Sequence, residues 1–172
     1  SCFKSVPFND KIFKNYKYIK PSQFFNFFLK KYEKFKKRYK QINNKEINNS
    51  YNGQALEIIL AYLFTREEIQ IEKMDEDLKD VKYVKPDFLL KSKNDKKYFI
   101  SAKVSIRERW KQADWEAIKY KKKYSLAKCI LIMNDKKEFK GLKSKIEDLD
   151  LDDVILANSN DLNNLLDSIK NS

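Results

Sequence analysis

The chain has no histidine and only two glycines, Gly53 and Gly141, and both shortages narrow the chemistry open to it. Without histidine there is no Ser-His-Asp hydrolysis, no nuclease built on an essential imidazole and no His-ligated zinc or iron. Without glycine-rich turns there is neither a P-loop nor a dinucleotide fingerprint, so no nucleotide cofactor is expected. Cysteine is also scarce. Cys2 and Cys129 cannot build a disulfide framework, and Cys129 lies in an apolar run, Cys-Ile-Leu-Ile-Met, that reads as core. Reduced thiols in a cytosol are the expectation. No apolar stretch approaches the length of a membrane span, and the first residues lack the hydrophobic region of a signal peptide. A soluble cytoplasmic protein with no membrane partner is therefore expected, and any catalysis falls to carboxylates, lysines and hydroxyls.

What the sequence does have is length, apolar material and positive charge. Its 172 residues fit one domain, and 42% apolar with 14% aromatic residues can fill a core. Lys and Arg number 37 against 25 Asp and Glu, a formal charge of +12, which would hold a polyanion by releasing its counterions. Nucleic acid is the leading partner on that ground. An AT-rich genome, which scatters lysine codons over a whole surface without selection for binding, is the competing explanation of the same charge.

The chain divides into residues 1–50, an aromatic and basic helical extension packed on the core, and residues 51–172, the core itself. In the extension, the segment from Pro21 and Ser22 to about residue 41 has helical spacing. Phe24, Phe28, Tyr32 and Phe35 are the candidates to dock it, and its lysines either touch phosphate or are merely solvated. Residues 42–50 read as a loop. A second helix is predicted from Tyr51 to Phe64, with Leu56, Ile59, Leu60 and Leu63 buried and Glu57 beside them. Alternation predicts a strand over Glu68–Glu72, and strands over Val84–Leu90 and Lys97–Ser105 joined by Asn94-Asp95 turn chemistry, a β-hairpin. Helical period returns from Ile106 to Tyr124 with Ile106, Trp110, Ala113, Ala117 and Tyr120 on one face. Lys128–Met133 reads as a strand covered on both faces, Val154–Leu156 as another strand, and Asn160–Ile169 as a last helix.

Strand alternation puts Asp87 with Leu89 on one face of the first hairpin strand, and Phe99, Ser101 and Lys103 on one face of the second. If those faces coincide, Asp87 meets Ser101 and Lys103. Phosphodiester hydrolysis needs a divalent ion against the transition-state charge and an activated water, and hard Mg²⁺ prefers carboxylate oxygen. A lysine beside such a carboxylate can orient the water. Taken alone, Asp and Lys on adjacent strands are more often a surface salt bridge.

Pro86-Asp87 followed after a short hairpin by Ser101-Ala102-Lys103 resembles the PD-(D/E)XK nuclease motif, and the order of elements resembles that superfamily's core. Ser101 stands where the motif has its second acid. In the EcoRII-like and NgoMIV-like type II restriction endonucleases the missing glutamate lies on the helix after the lysine strand. This chain resembles them in Arg107, Arg109-Trp110, Gln112 and Glu116, thirteen positions beyond Lys103. Arg109, Gln112 and Glu116 are spaced i, i+3, i+7 and so share a helix face, which places Glu108 on a different side. Glu57 resembles the glutamate that the superfamily's first helix directs at the site. The resemblance spans about residues 51–134.

The resemblance implies an α/β (α+β) restriction-endonuclease-like core: a mixed sheet of four to five strands flanked by helices, ordered αβββαβ after an extra N-terminal helix. It implies cleavage of double-stranded DNA by a Mg²⁺-dependent type II restriction endonuclease of a prokaryotic cytoplasm, leaving 5′-phosphate and 3′-hydroxyl ends. Mn²⁺ would substitute, and Ca²⁺ would support binding without cleavage. Asp87, Glu116 and the Ala102 carbonyl are the implied metal ligands, and Lys103 positions the water. Arg107, Arg109, Lys111 and Gln112 face DNA, Ser101 is a polar neighbour, and Glu57 is an accessory acid. Many such enzymes act as homodimers. The alternatives within reach are a repair, resolving or modification-dependent nuclease of the same fold, and an inactive DNA-binding relative. The chain is short for a complete restriction enzyme and begins Ser1-Cys2, so a single domain or a trimmed chain is expected.

Overall fold

The computed structural model describes residues 18–72, 86–104 and 109–172. Helices α1 (Pro21–Asn43) and α2 (Asn49–Arg66) lead into strand β1 (Gln70–Glu72), then the pair β2 (Phe88–Lys91) and β3 (Lys97–Lys103). Helix α3 (Arg109–Lys123) connects to β4 (Lys128–Met133), and α4 (Lys136–Lys143) with a short 3-10 turn connects to β5 (Asp153–Leu156) and α5 (Asn160–Asn171). The five strands lie in sequence order, β1, β2 and β3 antiparallel and β3, β4 and β5 parallel. The mixed α/β sheet and the order of its first elements match the sequence expectation.

Alternation along β3 decides which helices cover which face. Tyr98, Ile100 and Ala102 join Phe88, Leu90, Ile130, Ile132 and Ile155 in a core closed by α1, α2 and α5. Phe99 joins Leu89, Cys129, Leu131, Met133 and Val154 on the opposite face, closed by α3 and α4. β4 pairs on both sides and is buried from Cys129 to Met133, as its unbroken apolar run requires. The hairpin turns at Ser92–Lys96, with Asp95 at φ 62, a left-handed conformation that Asp tolerates.

Several boundaries differ from the sequence reading, each for a local reason. α2 begins two residues early because the Asn48 side chain accepts from the Ser50 N–H as a cap. It runs on to Arg66, and Glu68 at φ 58 turns the chain, so β1 starts at Gln70 rather than Glu68. α4 has no counterpart in the sequence reading. Its signal is Asp135, whose carboxylate accepts from the N–H groups of Lys137 and Glu138, ahead of Phe139 and Leu142. In α1, Phe24 and Phe25 are buried and Phe28 packs against them, but Phe35 is 57% exposed, so the docking face ends sooner than predicted. The helix runs past the body it packs on.

Candidate active site

Asp87 immediately precedes β2, where Phe88 pairs with Ile100, so continuing the register sets Asp87 across from Ser101. Pro86 before it has no N–H to donate, which suits the end of a ladder. Just before β2 begins, the Asp87 side chain takes over a strand donor: its Oδ2 accepts from the Ala102 N–H at 2.6 Å. The same oxygen accepts from Lys103 Nζ at 2.9 Å. The expected meeting of Asp87 and Lys103 on one face is thus present, with the two side chains 18% and 22% exposed.

Glu116 approaches from α3, which lies over that same face of the sheet, and it is only 4% exposed. Its Oε1 accepts from Gln112 Nε2 at 2.9 Å, one turn earlier on the helix. Burial pushes the Glu116 carboxyl up, Gln112 and the Lys103 ammonium pull it back, and the Asp87 charge adds a smaller push upward. Glu57 on α2 is half-buried and is also pushed up, by burial first and then by Asp87, with Lys103 opposing. Among the described residues three carboxylates therefore share the field of one ammonium, and burial raises the pKa of two of them.

The sequence reading set the Arg109, Gln112 and Glu116 face apart from the buried stripe of α3. In the fold the two merge at Glu116, which is buried next to Ala113, Ala117 and Tyr120. Ser101 is buried in β3 between Ile100 and Ala102 and pairs with Leu131 of β4. Lys111 is exposed, its Nζ 6.0 Å from the Trp110 ring centroid. Arg107 and Glu108 lie outside the described residues, as does the side chain of Arg109.

Two residues that sequence reasoning did not assign to the site stand at it. Tyr120 is 2% exposed, stacks on Phe99 with ring centroids 4.1 Å apart, and its hydroxyl has no hydrogen-bond partner among the described residues. Burial, then the Glu116 charge, keep that hydroxyl protonated. Its place one turn after Glu116 was the available signal. The buried Asn134 Oδ1, directly after β4, also lacks a partner among the described residues. Because Met133 pairs with Lys103, Asn134 leaves the sheet at the carboxyl ends of parallel strands, where α/β proteins gather their sites.

Among the described residues, no group of three or more His, Cys, Asp or Glu stands together as a metal cluster. Mg²⁺ does not demand one, since it is usually held by one or two carboxylates while keeping several waters. Asp87, Glu116 and the Ala102 carbonyl are hard oxygen donors. With a buried carboxyl held up by desolvation and an unpartnered hydroxyl beside it, they fit such an ion.

No known protein family matches the chain, and no curated protein matches it. Among solved structures it is similar to that described as "Restriction endonuclease PspGI-substrate DNA complex", with a TM-score of 0.51 and 24% identity. The alignment covers 84% of this chain and 58% of that one. The chain has a restriction-endonuclease-like fold, and it spans little more than half the length of that structure's chain. Among the described residues no helix is long and apolar enough to cross a membrane.

Proposed function

We propose that the chain is a Mg²⁺-dependent endonuclease hydrolysing phosphodiester bonds of double-stranded DNA, a type II restriction endonuclease or a domain of one. The observation that carries this is the convergence of Asp87, Lys103 and buried Glu116 at one end of one sheet face. The likeness to a restriction endonuclease bound to substrate DNA, together with the +12 charge, favours DNA as the polyanion. The arrangement also supports the EcoRII-like variant of the motif, because the acid absent at Ser101 is replaced by one on the next helix that senses both Asp87 and Lys103.

Asp87, Glu116 and the Ala102 carbonyl would hold the metal. When bound, Mg²⁺ supplies positive charge against the phosphoryl oxygens and lowers the pKa of a coordinated water. The Ala102 N–H fixes one Asp87 oxygen, and Gln112 fixes one Glu116 oxygen, so both carboxylates are oriented before substrate arrives. Lys103 orients the attacking water and offsets charge as it develops. Arg107, Arg109 and Lys111 contact phosphate, Ser101 stays a polar neighbour, and Glu57 serves as the accessory acid. In-line attack leaves a 5′-phosphate and a 3′-hydroxyl, and Mn²⁺ is expected to replace Mg²⁺. A homodimer would cut both strands.

The test is mixed-sequence duplex DNA incubated with Mg²⁺ or with Ca²⁺. Cleavage to 5′-phosphate ends is expected with the first and binding alone with the second. Sequence-specific bands on plasmid DNA support restriction; cutting that follows DNA structure instead supports a repair or resolving enzyme. The serine at position 101 favours one second reading, a DNA-binding protein that has lost catalysis, which binding without any Mg²⁺-dependent cleavage would establish.

A further inference from the structure

The far half of α1 has no role in the site described above, yet it is the most concentrated positive feature of the molecule. From Lys30 to Asn43 it carries seven basic residues (Lys30, Lys31, Lys34, Lys36, Lys37, Arg38 and Lys40) and one acid, Glu33. No residue from 30 to 46 is buried. The charge is not spread evenly, as codon drift would spread it, because residues 146–172 carry seven acids and a single lysine, Lys170.

Neighbouring side chains fix where this segment points. Near its start α1 meets the end of α2, with the Arg66 guanidinium 4.5 Å from the Phe24 ring centroid. Farther along, the Tyr32 hydroxyl donates to Asn52 Oδ1 at 3.1 Å, so the two helices run antiparallel. The end of α2 lies at the hairpin-turn end of the sheet. There Lys170 bonds Glu67 at 2.7 Å, and the chain end at Ser172 accepts from the Asn94 N–H of the turn. The first half of α2 lies at the other end, where Glu57 feels Asp87 and Lys103. Beyond Tyr32, α1 therefore leaves the body at the end of the sheet that carries Asp87 and Lys103, in the helix layer opposite α3, and its eleven remaining residues project about 16 Å.

We infer that this arm, residues 30–43, is a clamp for the phosphate backbone of duplex DNA flanking the scissile bond, an inference that rests on the endonuclease reading. Phosphate fits it by charge complementarity, and the side chains are ordered for the task. Tyr32, Phe35 and Tyr39 form a stripe with ring centroids 6.5 and 6.3 Å apart. Lys36 Nζ sits 5.6 Å from the Tyr32 ring centroid, which stiffens the basic row. At about 3.4 Å per base pair, the projecting length spans roughly five base pairs of duplex.

The experiment compares the full chain with the fourfold variant Lys30→Gln, Lys34→Gln, Lys37→Gln and Arg38→Gln, after circular dichroism and Tm show both folded. Dissociation constants are measured in Ca²⁺ against salt, on a long duplex and on one too short to extend past the catalytic residues. The variant should bind the long duplex at least about tenfold more weakly, with its log–log salt slope flatter by about 0.9 for each phosphate that it no longer neutralises. On the short duplex the two proteins should bind alike. Equal affinity and slope on the long duplex overturn the inference, as does equal DNA binding accompanied by a change in oligomeric state by sedimentation. A chain that never cleaves but shows the slope difference keeps the clamp and loses the nuclease reading; one that cleaves with an unchanged slope does the reverse.

Discussion

The two ends of the β2–β3 hairpin each carry a lysine on a carboxylate, Lys91 with Asp95 at 2.7 Å and Lys103 with Asp87 at 2.9 Å. By distance they are the same interaction. Asp95, however, is 80% exposed on a turn, and beyond Asp95 only Glu72 of β1, among the described residues, stands near Lys91, at 3.7 Å. Water screens that group, and its removal changes little. At the other end Asp87 is largely covered, a strand N–H is committed to it, and buried Glu116 and half-buried Glu57 share the same ammonium. Geometry alone does not separate a surface pair from a site. What separates them here is negative charge gathered under cover, which a cation can neutralise.

Several substitutions would break or sharpen that contrast. The largest effect is expected from Asp87→Ala or Lys103→Ala, which should end Mg²⁺-dependent cleavage, a loss of ~10³-fold or more, while binding in Ca²⁺ persists. Full activity in either variant removes the assignment. Glu116→Gln should also abolish cleavage, and it carries a second readout in stability. Because the folded Glu116 pKa lies above its unfolded value, the folded state holds that proton more tightly, and stability falls as pH rises past the unfolded value of about 4.3. The Gln variant should melt higher than the natural chain at pH 7.5 and lose that advantage toward pH 4; an identical melting profile at both pH values refutes the burial of charge at Glu116.

A smaller effect follows at Gln112, whose hydrogen bond lowers the Glu116 pKa. Gln112→Ala should move the acid limb of the cleavage profile to higher pH, with about a fivefold loss at neutral pH, the scale of one hydrogen bond at about 1 kcal/mol. An unmoved acid limb would separate Glu116 from the chemistry. Lys91→Ala should alter neither cleavage nor Tm measurably, and a large drop in either would mean that the hairpin-turn pair is more than a surface contact.

Much of the fold was legible because apolar spacing reports directly on burial. The stripe Leu56, Ile59, Leu60 and Leu63 and the run Cys129–Met133 are buried as their periods require. α4 escaped because its eight residues carry few apolar positions, and only the Asp135 cap marks its start. Phe35 was misplaced because period tells which side of a helix is apolar but not how far the neighbouring body extends. Tyr120 was read only as core, since a buried ring and a hydroxyl beside an acid have the same spacing until the acid is located.

By itself the sequence determined the excluded chemistries, the pairing of a short hairpin, and the faces of β2 and β3 on which Asp87 and Lys103 stand, because strand alternation is a local property of the backbone. Only the tertiary structure decided that α3 lies over that same face and buries Glu116 among Ala113, Ala117 and Tyr120, and that α1, packed on the opposite face, runs past the end of the sheet where Asp87 and Lys103 stand. Helix placement depends on which apolar faces meet across the sheet, and the electrostatic strain on a carboxylate depends on what covers it. Neither is written in the spacing of any one segment.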